Sequence, residues 1–191
     1  MLLLRPPTPP QIRRFLATQR ALPFSYPAVG ASRTQPPPGQ VVDHNRVRLG
    51  AGPDCWARAV AALQHWEMFH LGWVGIYTPH APIRPGVTVA VISRQFQFWT
   101  LNACRIVYTL DEATPIRRYG FAYGTLPEHL ESGEERFTVE QHPDGAVWYD
   151  ILAFSRPHHP LAVAGFPVVR LYQRRFAGDS KRAMLRAVQG L

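Results

Sequence analysis

Apolar residues recur with a helical period between Gly52 and Gly72. Trp56, Val60, Leu63 and Trp66 fall on one face with Ala59 beside them, while Arg58, Gln64 and Glu67 fall outside it. Gly52-Pro53-Asp54 has the form of a helix start, because proline fits the first turn, and Gly72 has the form of a stop. From Trp73 the period changes to two, and strands are predicted at 73–77, 87–96, 98–110, 119–125, 135–141 and 147–155. A further strand at 41–49 puts His44, Arg46 and Arg48 on one side. His142-Pro143-Asp144-Gly145 is a hairpin turn by composition: proline presets φ, Asp bonds its own backbone and Gly takes the left-handed position. The two strands that flank it are therefore antiparallel neighbours.

Helical periodicity returns at Pro167, where Val169, Tyr172, Phe176, Ser180, Met184 and Val188 form the stripe of a long helix. Gly178-Asp179 is expected to bend or interrupt it, since glycine is unfavourable in a helix interior. At the other end Thr8-Pro9-Pro10-Gln11 reads as a capping box, and Ile12, Phe15 and Leu16 share the face of a short helix closed by Pro23. A twisted antiparallel sheet has a face to bury, and the last helix has a stripe to bury. The expected class is α+β of the helix-grip type, a curved antiparallel sheet of about six strands wrapped around a long C-terminal helix. Residues 1–23 are expected to form an N-terminal helical extension and residues 24–191 a single domain.

At 191 residues, with 46% hydrophobic and 12% aromatic content, the chain has material for a substantial core. The two cysteines, Cys55 and Cys104, are too few for a disulfide framework and read as small buried hydrophobes. No apolar run approaches the roughly 20 residues of a membrane span, and Met1-Leu2-Leu3-Leu4-Arg5 is too short for a signal peptide, so a cytoplasmic location is expected. The net charge of +8 hints at an anionic partner. However, 20 of the 21 basic residues are arginine and they are dispersed, which fits codon bias better than phosphate recognition and disfavours nucleic acid as a partner.

Arg105 lies within an otherwise apolar strand, on the side of Ala103 and Val107. A buried arginine needs a partner, and Glu135 and Asp150 on neighbouring predicted strands are natural ones; the same guanidinium suits a ligand carboxylate or carbonyl. His129, Glu134 and Glu135 lie in or beside the loop before the strand at 135–141, and the segment 125–134 reads as a lid. Histidine beside a carboxylate can transfer protons, which makes His129 and Glu134 the catalytic candidates, with capping or salt bridging as the plainer role. Tyr108, Tyr123 and Tyr149 offer hydroxyls that serve either core packing or a pocket. The candidate ligand-binding set is Arg105, Tyr108, Tyr123, Thr125, Glu135, Tyr149 and Asp150. Ser155 has no nucleophile elbow, and His158-His159 reads as a solvated turn rather than a metal pair. No metal is expected, because no three ligands stand at diagnostic spacing, and no cofactor, because no phosphate-binding glycine loop is present.

Five segments occur in one order: Tyr26-Pro27-Ala28-Val29-Gly30-Ala31-Ser32, Asn102-Ala103-Cys104-Arg105-Ile106-Val107-Tyr108, Gly120-Phe121-Ala122-Tyr123-Gly124-Thr125-Leu126-Pro127, Gly133-Glu134-Glu135-Arg136-Phe137 and Ala153-Phe154-Ser155-Arg156-Pro157. Together they resemble the uncharacterised family catalogued as domain of unknown function nineteen-ninety, over nearly the whole chain from Phe24 to Met184. The resemblance implies a relation to START-like and Bet v 1-like helix-grip (SRPBCC) proteins, whose members bind lipids, sterols and other apolar molecules and in some cases catalyse cyclisation or hydrolysis. It brings no catalytic residue with it. The expected function is binding of a small, largely apolar ligand between sheet and C-terminal helix. The alternatives are a cyclase- or hydrolase-type enzyme in the same cavity, with Arg105 stabilising negative charge, and a surface binder of anions through the C-terminal arginines.

Overall fold

A computed structural model describes residues 1–78, 81–158, 163 and 165–190. Eight strands form one antiparallel sheet: β1 (Leu2–Leu3), β2 (Val41–Ala51), β3 (Val74–Tyr77), β4 (Thr88–Gln95), β5 (Phe98–Glu112), β6 (Arg117–Thr125), β7 (Glu131–Gln141) and β8 (Ala146–Pro157). Their order is β2-β8-β7-β6-β5-β4-β3, with β1 paired to β5 at Leu2↔Thr100 and Leu3↔Trp99. Among the described residues, the longer helices are α1 (Pro9–Gln19), α2 (Pro53–Gln64) and α3 (Phe166–Gln189). The meander from β3 to β8 follows from short connections. The long step from β2 through α2 carries the chain across the sheet, so that β2 and β8 end as neighbours.

The alternation of side chains sorts each strand into an inner and an outer row. Inward residues of β6, β7 and β8, including Phe121, Phe137, Val139, Tyr149 and Ile151, meet α2 and the second half of α3 in one core. Trp66 anchors it: its ring packs on Phe121 at 4.8 Å and its indole N–H donates to the Ala81 carbonyl at 3.0 Å. Trp66 has φ 59°, so α2 ends at Gln64 and a separate 3-10 turn, Glu67–Phe69, follows; the single helix expected up to Gly72 is divided there. The C-terminal helix is uninterrupted through Gly178 for 24 residues.

After β1, α1 packs on the outer face. Thr8 donates its amide to Gln11 Oε1 at 2.8 Å, the expected cap, and Ile12, Phe15 and Leu16 pack on Ala90, Leu101, Ala103 and Leu126. The helix ends at Gln19, before Pro23, and its last carbonyls are held by the sheet, as described below.

Candidate functional site

The second half of α3 is sealed against the core by Ala177, Ser180, Ala183, Met184 and Val188. In the first half the sheet curves away, and a cavity of about 210 Å³ opens between them. The helix contributes Val169, Tyr172, Gln173 and Phe176, and Phe69 and Trp73 close one end. From the sheet come Tyr123, Glu135, Ala153 and Ile151, with Thr125, Gly133, Glu131 and Ser155 further along the same rows. Rings meet across the space: Phe69 lies 5.2 Å from Phe176 and Trp73 lies 5.5 Å from Tyr172.

Glu135 is the polar centre of this wall. Its Oε2 accepts the Tyr123 hydroxyl at 2.8 Å across the β6–β7 pair. Burial pushes its carboxyl up to about 7 against the favourable bond from Tyr123, and nearby Asp43 adds to the rise. Glu131, two pleats away on the same side of β7, is also raised by burial, and its Oε1 has no partner within the protein. Asn102 Oδ1 is likewise unpartnered. Asp43 reaches the cavity from β2 but is paired to Arg170, with Nη2 at 2.6 Å.

His129 borders the cavity in the short loop between β6 and β7. Its Nδ1 lies 2.9 Å from the Glu131 amide nitrogen and 3.0 Å from the Glu131 carbonyl oxygen, so the ring is held by its own loop. Burial and the nearby chain amino terminus lower it to about 3, so the ring is neutral at physiological pH.

Other candidates lie elsewhere. β7 begins at Glu131 and not at residue 135, which leaves a loop of 126–130 and removes most of the expected lid. Glu134 thereby becomes a strand residue whose carboxylate faces outward. Its Oε2 accepts Tyr26 Oη at 2.6 Å and the Gly30 amide at 2.7 Å; its Oε1 accepts the Ser32 amide at 3.0 Å and the Ser32 hydroxyl. Four donors thus bind the segment 24–34 to the sheet, and none is left for a substrate. Gly124 sits opposite Glu134, and a Cβ there would come within 2.0 Å of Tyr26 Oη, so this strap needs glycine beneath it.

Arg105 also faces outward. It meets neither Glu135 nor Asp150; its Nη2 donates to the carbonyls of Gln19, Arg20 and Leu22 at 3.2, 2.8 and 2.9 Å and caps α1. A bulge in β5 between Ile106 and Tyr108 moves Tyr108 to the outer row, where its hydroxyl bonds Ser32 Oγ at 2.7 Å. Asp150 is outward too, held by His44 at 2.6 Å, Arg46 at 3.1 Å and Arg136 at 3.2 Å. Tyr149 points inward, beyond the cavity, and bonds Ser180 at 2.9 Å. Thr125 borders the cavity with its hydroxyl engaged by Ser25 and by the Gly133 backbone. Of the nine candidates, the structure brings Tyr123, Thr125, Glu135 and His129 together around the cavity, with Glu134 at its border and its carboxylate turned away. Glu131, Asn102, Trp73 and Tyr172 were passed over. Glu131 carried a signal, since it falls on the row of Glu135 once the strand is extended.

Both cysteines are buried and free, and burial raises each thiol. Among the described residues no cluster of three His, Cys, Asp or Glu side chains is placed to hold a metal, and no helix is long and apolar enough to cross a membrane. His159 of the paired histidines lies outside the described residues. Several C-terminal arginines are engaged, Arg170 with Asp43 and both Arg175 and Arg182 with Asp179.

A curved antiparallel sheet gripping a long C-terminal helix, with a cavity between them, is the helix-grip architecture of Bet v 1-like proteins. The crystal structure of Ara h 8.0201 superimposes with a TM-score of 0.50 over 80% of this chain and 100% of that one, at 13% identity, a likeness of fold. By sequence the chain belongs to the family described as Domain of unknown function (DUF1990), whose model matches residues 25–183. Relatives include a UPF0548 protein of Dictyostelium discoideum, 43% identical over 77% of this chain and 72% of that protein. Another UPF0548 protein, from Deinococcus radiodurans, is 41% identical over 98% of both chains.

Proposed function

We propose that this protein binds a small, largely apolar molecule in the cavity between the sheet and the first half of α3, with Glu135 and Tyr123 as its main polar anchor. The observation that carries this reading is the contrast within the wall. Aromatic rings surround the space, yet two residues of its wall, Glu131 and Asn102, each hold a buried oxygen without a protein partner. Buried acceptors of this kind are costly unless something bonds them, and an apolar pocket with sparse polar groups is the usual form of a small-molecule site.

The test is native mass spectrometry on freshly purified protein, with extraction and identification of any added mass, repeated on Ala153→Phe. That substitution puts a ring into the cavity from β8 while leaving the outer face alone. A discrete added mass that is lost in Ala153→Phe supports the reading. The same mass retained in the filled variant places the ligand elsewhere and sinks it.

One observation favours chemistry in the same cavity. Glu135 holds its proton until about pH 7, which suits a general acid or base. If a reaction occurs there, Glu135 is its proton-transfer group, because His129 is held neutral and Glu134 is saturated with donors.

A further inference from the structure

The chain carries 21 basic residues against 13 acidic ones. The cavity wall reverses this balance. The carboxyl groups of Asp43, Glu131 and Glu135 border it, and among the described residues no arginine or lysine does. Two guanidinium groups of the lining helix are engaged: Arg170 pairs with Asp43 and also acts on Glu131, and Arg175 pairs with Asp179 and sits 4.5 Å over the Trp73 ring. The one histidine in the wall is neutral. The two unpartnered buried atoms of the wall, Glu131 Oε1 and Asn102 Oδ1, are both acceptors. The groups facing Glu135 are the hydroxyl of Tyr123, the thiol of Cys104, the hydroxyl of Tyr149 and the paired Asp43; none supplies a positive charge.

We infer that the cavity selects a small organic cation, an amine on an apolar or aromatic body, whose ammonium group bonds Glu135 among the surrounding aromatic faces. This rests on the cavity being a binding site and names the class of molecule it takes. The physics is twofold. A carboxyl that burial strips of water regains its charge when an ammonium arrives, and the faces of Tyr123, Tyr172 and Phe176 attract the same cation. The body of the ligand fills the space toward Phe69 and Trp73.

The test is isothermal titration calorimetry at pH 8 with three probes of one shape: benzylamine, benzyl alcohol and benzoate. Benzylamine is expected to bind about tenfold or more tighter than benzyl alcohol, with benzoate weakest. The preference for amine over alcohol should collapse in Glu135→Gln and shrink as pH falls from 8 to 6. Rescue by Glu135→Asp, which keeps the charge, separates this from simple loss of shape. Equal binding of amine and alcohol, abolished by Ala153→Phe, overturns the charge selection while the cavity reading stands. Preference for benzoate overturns it as well. Binding of none of the three removes both.

Discussion

The two faces of this sheet handle buried charge in opposite ways. On the outer face every acidic group named above has its partners. Glu134 takes four neutral donors, Asp150 takes His44, Arg46 and Arg136, and Glu140 takes Arg46 at 2.8 Å and Arg118 at 2.9 Å. Those arginines hold the Glu140 carboxyl below its usual range despite its burial. On the inner face Asp43 is paired to Arg170, but Glu135 has one hydroxyl and Glu131 has an oxygen with nothing, and these two are pushed upward. Neighbouring positions on one strand, Glu134 and Glu135, therefore belong to different tasks. The first fastens a loop, and the second is the proposed ligand anchor. Charge paired within the fold is a structural device; charge held without a partner beside a space is where recognition is proposed.

The sharpest way to break this contrast is to substitute the two neighbours separately. Glu134→Ala leaves the Tyr26 and Ser32 hydroxyls and two backbone amides without their acceptor. It should cost at least about 3 kcal/mol by urea unfolding. Glu135→Ala removes a carboxyl with one bond and should cost far less. Equal losses would mean that both are structural, and the recognition role of Glu135 would fall.

Why the contrast was only half legible in sequence is a matter of register. Period-two runs, the His142–Gly145 turn and the stripe of α3 were each readable from a few residues, and so the architecture was. The faces were not. Glu131-Ser132-Gly133-Glu134 reads as loop because it is polar, yet it is strand: one side lines a cavity and the other holds a strap, so neither side needs an apolar residue. The bulge after Ile106 reverses Tyr108 with no sequence mark. Arg105 has the sequence setting of a ligand anchor, a charge within an apolar strand, but its partners are backbone carbonyls at the end of a helix, which no residue type signals.

The pH dependence of stability sharpens the comparison next. Glu135 holds its proton more tightly in the folded chain, with a value of about 7 against 4.5 for the free group. Folding therefore loses free energy as pH rises from about 4.5 to about 7, by roughly 2 kcal/mol after allowing for the group's partial exposure. Below 4.5 the carboxyl is protonated in both states and costs nothing. Glu135→Gln should flatten this part of the profile, measured as Tm between pH 5 and 8. A saturating cation should flatten it too, since it stabilises the charged form. A profile unchanged by Glu135→Gln would place the carboxyl in ordinary solvent.

Arg105→Ala is expected to cost about 1–2 kcal/mol through the uncapped end of α1, while leaving ligand affinity within a factor of about two. A binding loss larger than the stability loss would return Arg105 to the site.

The smallest effect tests where the cavity stops. Tyr149 and Ser180 bond each other at 2.9 Å in the sealed half of the interface between β8 and α3, and burial raises the Tyr149 hydroxyl. Tyr123 and Glu135 make a similar bond in the open half. Tyr149→Phe leaves the Ser180 hydroxyl unpaired and should cost about 1 kcal/mol, with no change in ligand binding. Tyr123→Phe should cost less stability, because Glu135 can accept from whatever enters the cavity, and should weaken binding. Reversal of that pattern would put the ligand deeper along α3, where the helix meets the core, and would move the division between gripping and binding from Ala177 toward Ser180.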